Sequence, residues 1–174
     1  MSEIDGIIER AADGGAIARF DRWIDRPVEK IWAALTDPKI LANWIGTVEV
    51  ELRVGGKYIV HFRESKNVMT GTITRLEPLR LLEYSWLESH IPVPQSFVRW
   101  ELQPESAGCR LRLTHTVPSG APWKEIVGYA GGWQDFLEHI PRAADGEFMP
   151  YDHENYEGLE KRYRAKFAHL EAQP

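Results

Sequence analysis

The stretch GGWQDFLEHI, residues 131–140, has the apolar spacing of a helix yet opens on two glycines. Each glycine inside a helix destabilises it by roughly 0.5–1 kcal/mol relative to alanine. Gly128 repeats the choice one turn earlier. Reading back to Lys124 gathers Ile126, Tyr129, Trp133, Phe136, Leu137 and Ile140 into a stripe of about 100°. The spacing predicts one long amphipathic helix over 124–140, closed by Pro141 and Gly146. Its glycines are expected either to let the backbone approach a sheet closely or to leave unfilled volume beneath it. Trp133 and Leu137 still reach inward.

The segments before this helix alternate as half-buried strands do. TVEVELRV, KYIVHFR, MTGTITRLEP, RLLEYSWLE, SFVRWELQP and CRLRLTHTV follow one another, the first two joined at Gly55-Gly56 as by a two-residue hairpin turn. One phase holds Leu82, Tyr84 and Trp86, then Val98, Trp100 and Leu102, then Leu111, Leu113, His115 and Val117. The opposite phase carries Arg99, Glu101, Arg110 and Arg112 and reads as a solvated ladder. A further strand is expected over 16–24. In DRPVEKIWAALTDP the period changes to that of a helix, with Pro27 in its first turn. Asp37 and Pro38 read as the cap and first residue of a second short helix reaching about Trp44.

Residues 1–15 read as a loose leader and 147–174 as a C-terminal helical extension around a domain of 16–146. In the extension Tyr156, Leu159, Tyr163, Phe167 and Leu170 form a stripe of about 80°. A lone helix of this length is marginal in water, so it must dock, either on its own domain or on a second copy. The narrow stripe resembles a helix–helix seam and favours a homodimer through this helix.

Composition excludes several classes. A net charge of −5 without a basic stripe argues against nucleic acid. Cys109 is the only cysteine, so neither a disulfide nor a cysteine-rich zinc site is available. No stretch approaches the ~20 apolar residues of a membrane span, and the N-terminus lacks a secretory pattern. A soluble cytoplasmic protein is expected. The six histidines lack metal-site spacing, and P-loop, GxGxxG and GxSxG patterns are missing. No metal, cofactor or catalytic signature is therefore expected.

In order along the chain, RPVEKIWAALTDPKILANWIG, LRVGGKY, GTITRLEPLRLLEYSW, CRLRLTHTV and GGWQDFLEHI resemble the activator of heat-shock-chaperone ATPase homologue family. That family belongs to the START-like, helix-grip superfamily also called SRPBCC. The resemblance spans about Arg19 to Gly146. It implies an α+β fold: a curved antiparallel sheet of about six or seven strands wrapped around a long C-terminal helix, with two short helices after the first strand and a deep apolar cavity beneath the long one. Superfamily members bind lipids, sterols and polyketides, and some are cyclases or aromatase-like enzymes. Eukaryotic activators stimulate a chaperone's ATPase, where this domain accompanies a separate N-terminal one for which this chain has no room. The family supplies no catalytic residues to carry over, and the tail beyond Gly146 is not part of its recognised core.

Seven tryptophans either fill a core or line a pocket. The candidate cavity residues are Trp44, Tyr84, Trp86, Val98, Trp100, Leu113, His115, Tyr129, Trp133 and Leu137. His115 lies on the dry face and is either a hydrogen-bonded core histidine or an acid/base group. His61 is expected on the wetter side. The HIPVPQ loop, residues 90–95, is expected at the cavity mouth. Three readings follow: a module binding a small hydrophobic or aromatic molecule without reaction, a cyclase or isomerase using His115, and a chaperone-associated interaction protein. The first is preferred.

Overall fold

Alternating side chains build one antiparallel sheet in the computed structural model, which describes residues 5–172. Its strands are β1 (Ile7–Arg10), β2 (Ala16–Ile24), β3 (Gly46–Val50), β4 (Lys57–Phe62), β5 (Val68–Glu77), β6 (Leu81–Glu88), β7 (Ser96–Glu105) and β8 (Gly108–Val117). They lie in the order β1-β2-β8-β7-β6-β5-β4-β3. The eight strands of the described residues exceed the expected six or seven because the leader is not loose throughout. β1 pairs with β2 from Ile7↔Arg19 to Arg10↔Ala16 and buries Ile8. Residues 1–4 of that leader lie outside the described residues.

Helices α1 (Val28–Thr36) and α2 (Pro38–Leu41) follow β2. The Asp37 carboxylate accepts from the Lys39 amide at 2.9 Å, the cap that the sequence implied. The β3–β4 connection is wider than a two-residue glycine turn, since residues 51–56 all lie outside the strands. A Cβ on Gly56 would run into the Glu51 carbonyl oxygen. Gly55 and Gly56 instead exchange backbone hydrogen bonds with Ile73 at 2.8 Å each, beside the irregularity in β5.

The long helix α3 (Trp123–Ala144) runs past Pro141, which sits in its last turn. Gly146 ends it. At φ +96° that glycine lets its own amide reach the Ala143 carbonyl, while the Glu147 amide reaches that of Arg142. One face of α3 buries Ile126, Val127, Ala130, Trp133, Leu137 and Ile140 in the core shared with the sheet. The outward sheet face carries ion pairs instead: Arg99 with Glu83, and Arg110 and Arg112 with Asp21. Exposed pairs of this kind are worth about 0–1 kcal/mol each, so the dry face holds the fold together.

The expected tail helix breaks at Phe167 into α4 (His153–Lys166) and α5 (Ala168–Glu171). Its stripe packs on its own domain. Leu159, Tyr163, Phe167 and Leu170 are buried, and the Tyr163 hydroxyl accepts from the Gly6 amide at 2.6 Å and donates to Gln134 Oε1 at 2.9 Å. Arg10 reaches the Leu170 carbonyl from β1.

This docking explains the glycines, and corrects the expected close approach to the sheet. A Cβ on Gly131 would lie 3.1 Å from the Glu160 amide nitrogen and 3.2 Å from its Cα. The helix is thinned toward α4, not toward the sheet. No helix of the described residues is long and apolar enough to cross a membrane.

Candidate ligand cavity

A cavity of about 420 Å³ lies between α3, the β4–β6 part of the sheet and the tail. That is within the ~300–1,000 Å³ typical of small-molecule sites. Phe62 and Trp86 reach it from the sheet, and Trp44 from the turn after α2. From α3 come Tyr129, Trp133 and Phe136, with Gly128 and Gly132 between them. The two glycines contribute no side chain, and Tyr156 of α4 packs over them, its hydroxyl 3.5 Å from the Gly128 carbonyl oxygen.

The rings brace one another. Trp86 meets Trp133 edge-on at 5.1 Å between centroids, and Trp44 meets Phe136 at 5.4 Å. Such pairs add about 0.5–1.5 kcal/mol beyond their burial, so the walls hold their shape. Met149 and Tyr151 close a further side, and Ile91 brings the 90–95 loop to the rim as expected. Arg63 fastens this closing segment. Its guanidinium donates to the carbonyls of Met149 at 2.8 Å and Ala42 at 2.7 Å and lies 4.2 Å from the Phe148 ring centre.

Two buried carboxylates are among its lining. Glu88, the last residue of β6, accepts the Trp86 indole N–H at 2.7 Å and an Asn67 amide N–H. Burial pushes its carboxyl pKa up, and the donors pull it partly back. On α3, buried Asp135 accepts from Asn155 at 2.6 Å and lies 3.9 Å from the His139 ring nitrogen. Burial raises its pKa also.

The sequence candidates divide. Trp44, Trp86, Tyr129 and Trp133 line the cavity. Tyr84, Val98, Trp100, Leu113, His115 and Leu137 stand behind them as filled core. His115 is 0% exposed and closed on both sides. The Trp133 indole can only donate, so His115 Nδ1 is the acceptor at 3.0 Å and the ring proton sits on Nε2. Nε2 then donates to Ser96 Oγ at 2.8 Å, and Ser96 bonds onward to the Trp86 carbonyl at 3.3 Å. Burial lowers the His115 pKa to about 3, so it is neutral. His61 lies outside, 3.3 Å from Glu49.

Sequence reasoning missed Phe62, Phe136, Glu88, Asp135 and His139 as lining residues. Glu88 did leave a signal, since it continues the inward phase of Leu82, Tyr84 and Trp86 with a carboxylate. Asp135 and His139 are spaced i, i+4, one flank from the core stripe. Met149, Tyr151 and Tyr156 left none, because their contribution depends on where the tail docks.

A family model, activator of Hsp90 ATPase homolog 1-like protein, matches residues 25–145. The chain belongs to that family. Among solved structures it is similar to CalU16 from Micromonospora echinospora, with 23% identity, TM-score 0.72, and 95% of this chain and 96% of that one covered. It is also similar to EF2215 from Enterococcus faecalis, a conserved protein of unknown function, with 17% identity, TM-score 0.74, and 95% and 91% covered. DynU16, from the dynemicin biosynthetic locus, is 25% identical with TM-score 0.69; the match covers 78% of this chain and half of that one. These likenesses support the START-like helix-grip fold. Because CalU16 and EF2215 cover 95% of the chain, the tail beyond the family match has structural counterparts. No curated protein matches the chain.

Proposed function

We propose that the protein binds a small, largely apolar molecule with aromatic character in this cavity and carries out no reaction on it. The observation that supports this best is the open volume of about 420 Å³ bordered by aromatic rings that pack on one another. The indole N–H groups of Trp44, Trp86 and Trp133 are all engaged by protein, which leaves apolar ring surface for an occupant. The position of DynU16 in a biosynthetic locus agrees with a small-molecule ligand for this fold. The cyclase or isomerase alternative receives no acid/base from His115, which is outside the cavity lining and bonded at both nitrogens. The chaperone reading rests on the family description alone. A cytoplasmic location is part of the proposal.

Native mass spectrometry of the protein taken from cells tests it, together with quenching of tryptophan fluorescence by a hydrophobic dye. A retained small molecule and saturable quenching are expected. Gly132→Leu, whose side chain must displace Tyr156 from the cavity wall, should weaken both, with circular dichroism checking that the fold persists. Quenching unchanged by that substitution would overturn the assignment of the cavity.

A further inference from the structure

The charges lining the cavity are one-sided. Glu64, Glu88, Glu125 and Asp135 face it, against the single guanidinium of Arg63. Arg63 is already committed to two carbonyls and the Phe148 ring. His139 lies near Asp135 and His153 near Glu157, so the imidazoles stand with other carboxylates. Lys124, 3.7 Å from Glu125, extends into solvent.

Glu88 is the carboxylate in the apolar corner. It is 8% exposed, and its partners, Trp86 and Asn67, are neutral donors. Among the described residues no Lys, Arg or His lies within ion-pair distance of it. A carboxylate removed from water without a counter-charge is costly even when hydrogen-bonded. Glu125, one turn before Tyr129 on α3, adds repulsion to Glu88 and opposes its ionisation further. The Trp86 N–H is turned to Glu88, and the Trp86 and Tyr129 rings meet edge-on at 6.4 Å. A buried acid edged by aromatic rings is what attracts an organic cation, through charge and through the ring quadrupoles together.

On the reading that the cavity holds a small apolar molecule, we propose that this ligand carries a protonated amine or quaternary ammonium group, seated by Glu88 and Glu125 against Trp86 and Tyr129. The aromatic remainder of the cavity takes the apolar body. A cation there supplies the counter-charge that the protein itself does not.

Three probes of one shape test this on the full chain near pH 7: 2-naphthylmethylamine, 2-naphthylmethanol and 2-naphthoate, each read by quenching of tryptophan fluorescence. The amine should bind about tenfold tighter than the alcohol, with the carboxylate weakest, as expected for one charge-assisted contact. Glu88→Gln should remove that preference while leaving alcohol binding within about twofold. Should that variant lose its folded circular dichroism, Glu125→Gln, nearer the surface, is expected to narrow the preference in the same direction. Alcohol and amine binding equally to the native protein, or a preference that survives both substitutions, would overturn the cation assignment and leave the apolar cavity standing. Failure of all three probes and of the hydrophobic dye would bring down the cavity reading itself, and this inference with it.

Discussion

The Trp133 indole N–H donates to His115 Nδ1 at 3.0 Å, tying the centre of the long helix to the inward face of β8. One residue thus serves two ends. Its ring edges the cavity, and its polar atom fixes the tautomer of a buried imidazole. Trp133→Phe keeps most of the ring and removes the donor, so Nδ1 is left buried and unpaired. A loss of about 1–3 kcal/mol in chemical denaturation is expected. Trp133→Ala should lose about 3–5 kcal/mol if the ring acts as core, and less to the extent that it borders open space. Unchanged stability of the phenylalanine variant would mean that the hydrogen bond is not formed.

His115 gives the protein an acid-sensitive centre. Burial lowers its folded pKa to about 3, against about 6.5 when unfolded. Below about 6.5 the unfolded chain binds a proton that the folded chain refuses, so stability is lost as pH falls from there toward 3. Glu88 and Asp135 work in the opposite sense. Their raised carboxyl pKa values mean that the folded state holds protons more firmly, a contribution that fades as pH rises through those values. His115→Gln should therefore flatten the acid limb of the stability profile between about pH 6 and 4. In NMR the His115 ring should not titrate between about pH 8 and 4; a midpoint near 6.5 would contradict its enclosure.

Gly131 and Gly132 should respond differently to alanine. Alanine gains about 1 kcal/mol of helix propensity at either position. At Gly131 the new Cβ presses on the backbone of Glu160, which yields only if α4 moves, whereas at Gly132 it meets Tyr156 at an ordinary 3.7 Å. Gly132→Ala is expected to hold or raise the melting temperature and Gly131→Ala to lower it, with Gly131→Leu worse by a further 1–3 kcal/mol or so. Equal melting of the two alanine variants would remove the helix–helix explanation.

Truncation after Glu147 strips the domain of Leu159, Tyr163, Phe167 and Leu170 and takes Met149, Tyr151 and Tyr156 from the cavity. Each fully buried apolar side chain contributes about 1.5–3 kcal/mol, so the shortened chain should melt markedly earlier and lose dye binding. Sedimentation should show the full chain and the short form as the same species. A full-length dimer that becomes monomeric on truncation would restore the tail to an intermolecular role.

Local periodicity was enough for most of the fold. Alternation through Leu82–Trp86, Val98–Leu102 and Leu111–Val117 fixes which faces of β6, β7 and β8 are dry, and the 100° stripe fixes the inward face of α3, because each signal depends only on neighbours along the chain. β1 escaped since four residues, Ile7–Arg10, carry too little pattern. Glycine 131 was legible as an anomaly but not as an explanation. Whether a missing side chain admits a sheet, a ligand or another helix depends on what lies opposite, and the residue opposite is Glu160, at a separation in sequence that no local rule spans. The division of aromatics has the same origin. Trp86 and Trp100 are equivalent in periodicity, yet one borders open volume and the other is enclosed, since α3, the 90–95 loop and the tail meet around Trp86 without filling the space between them, whereas Trp100 is covered by Trp44 and Trp133. The sequence by itself determined most of the elements and their dry faces; only the packing of distant segments decided where space remained, and space is what a ligand reads.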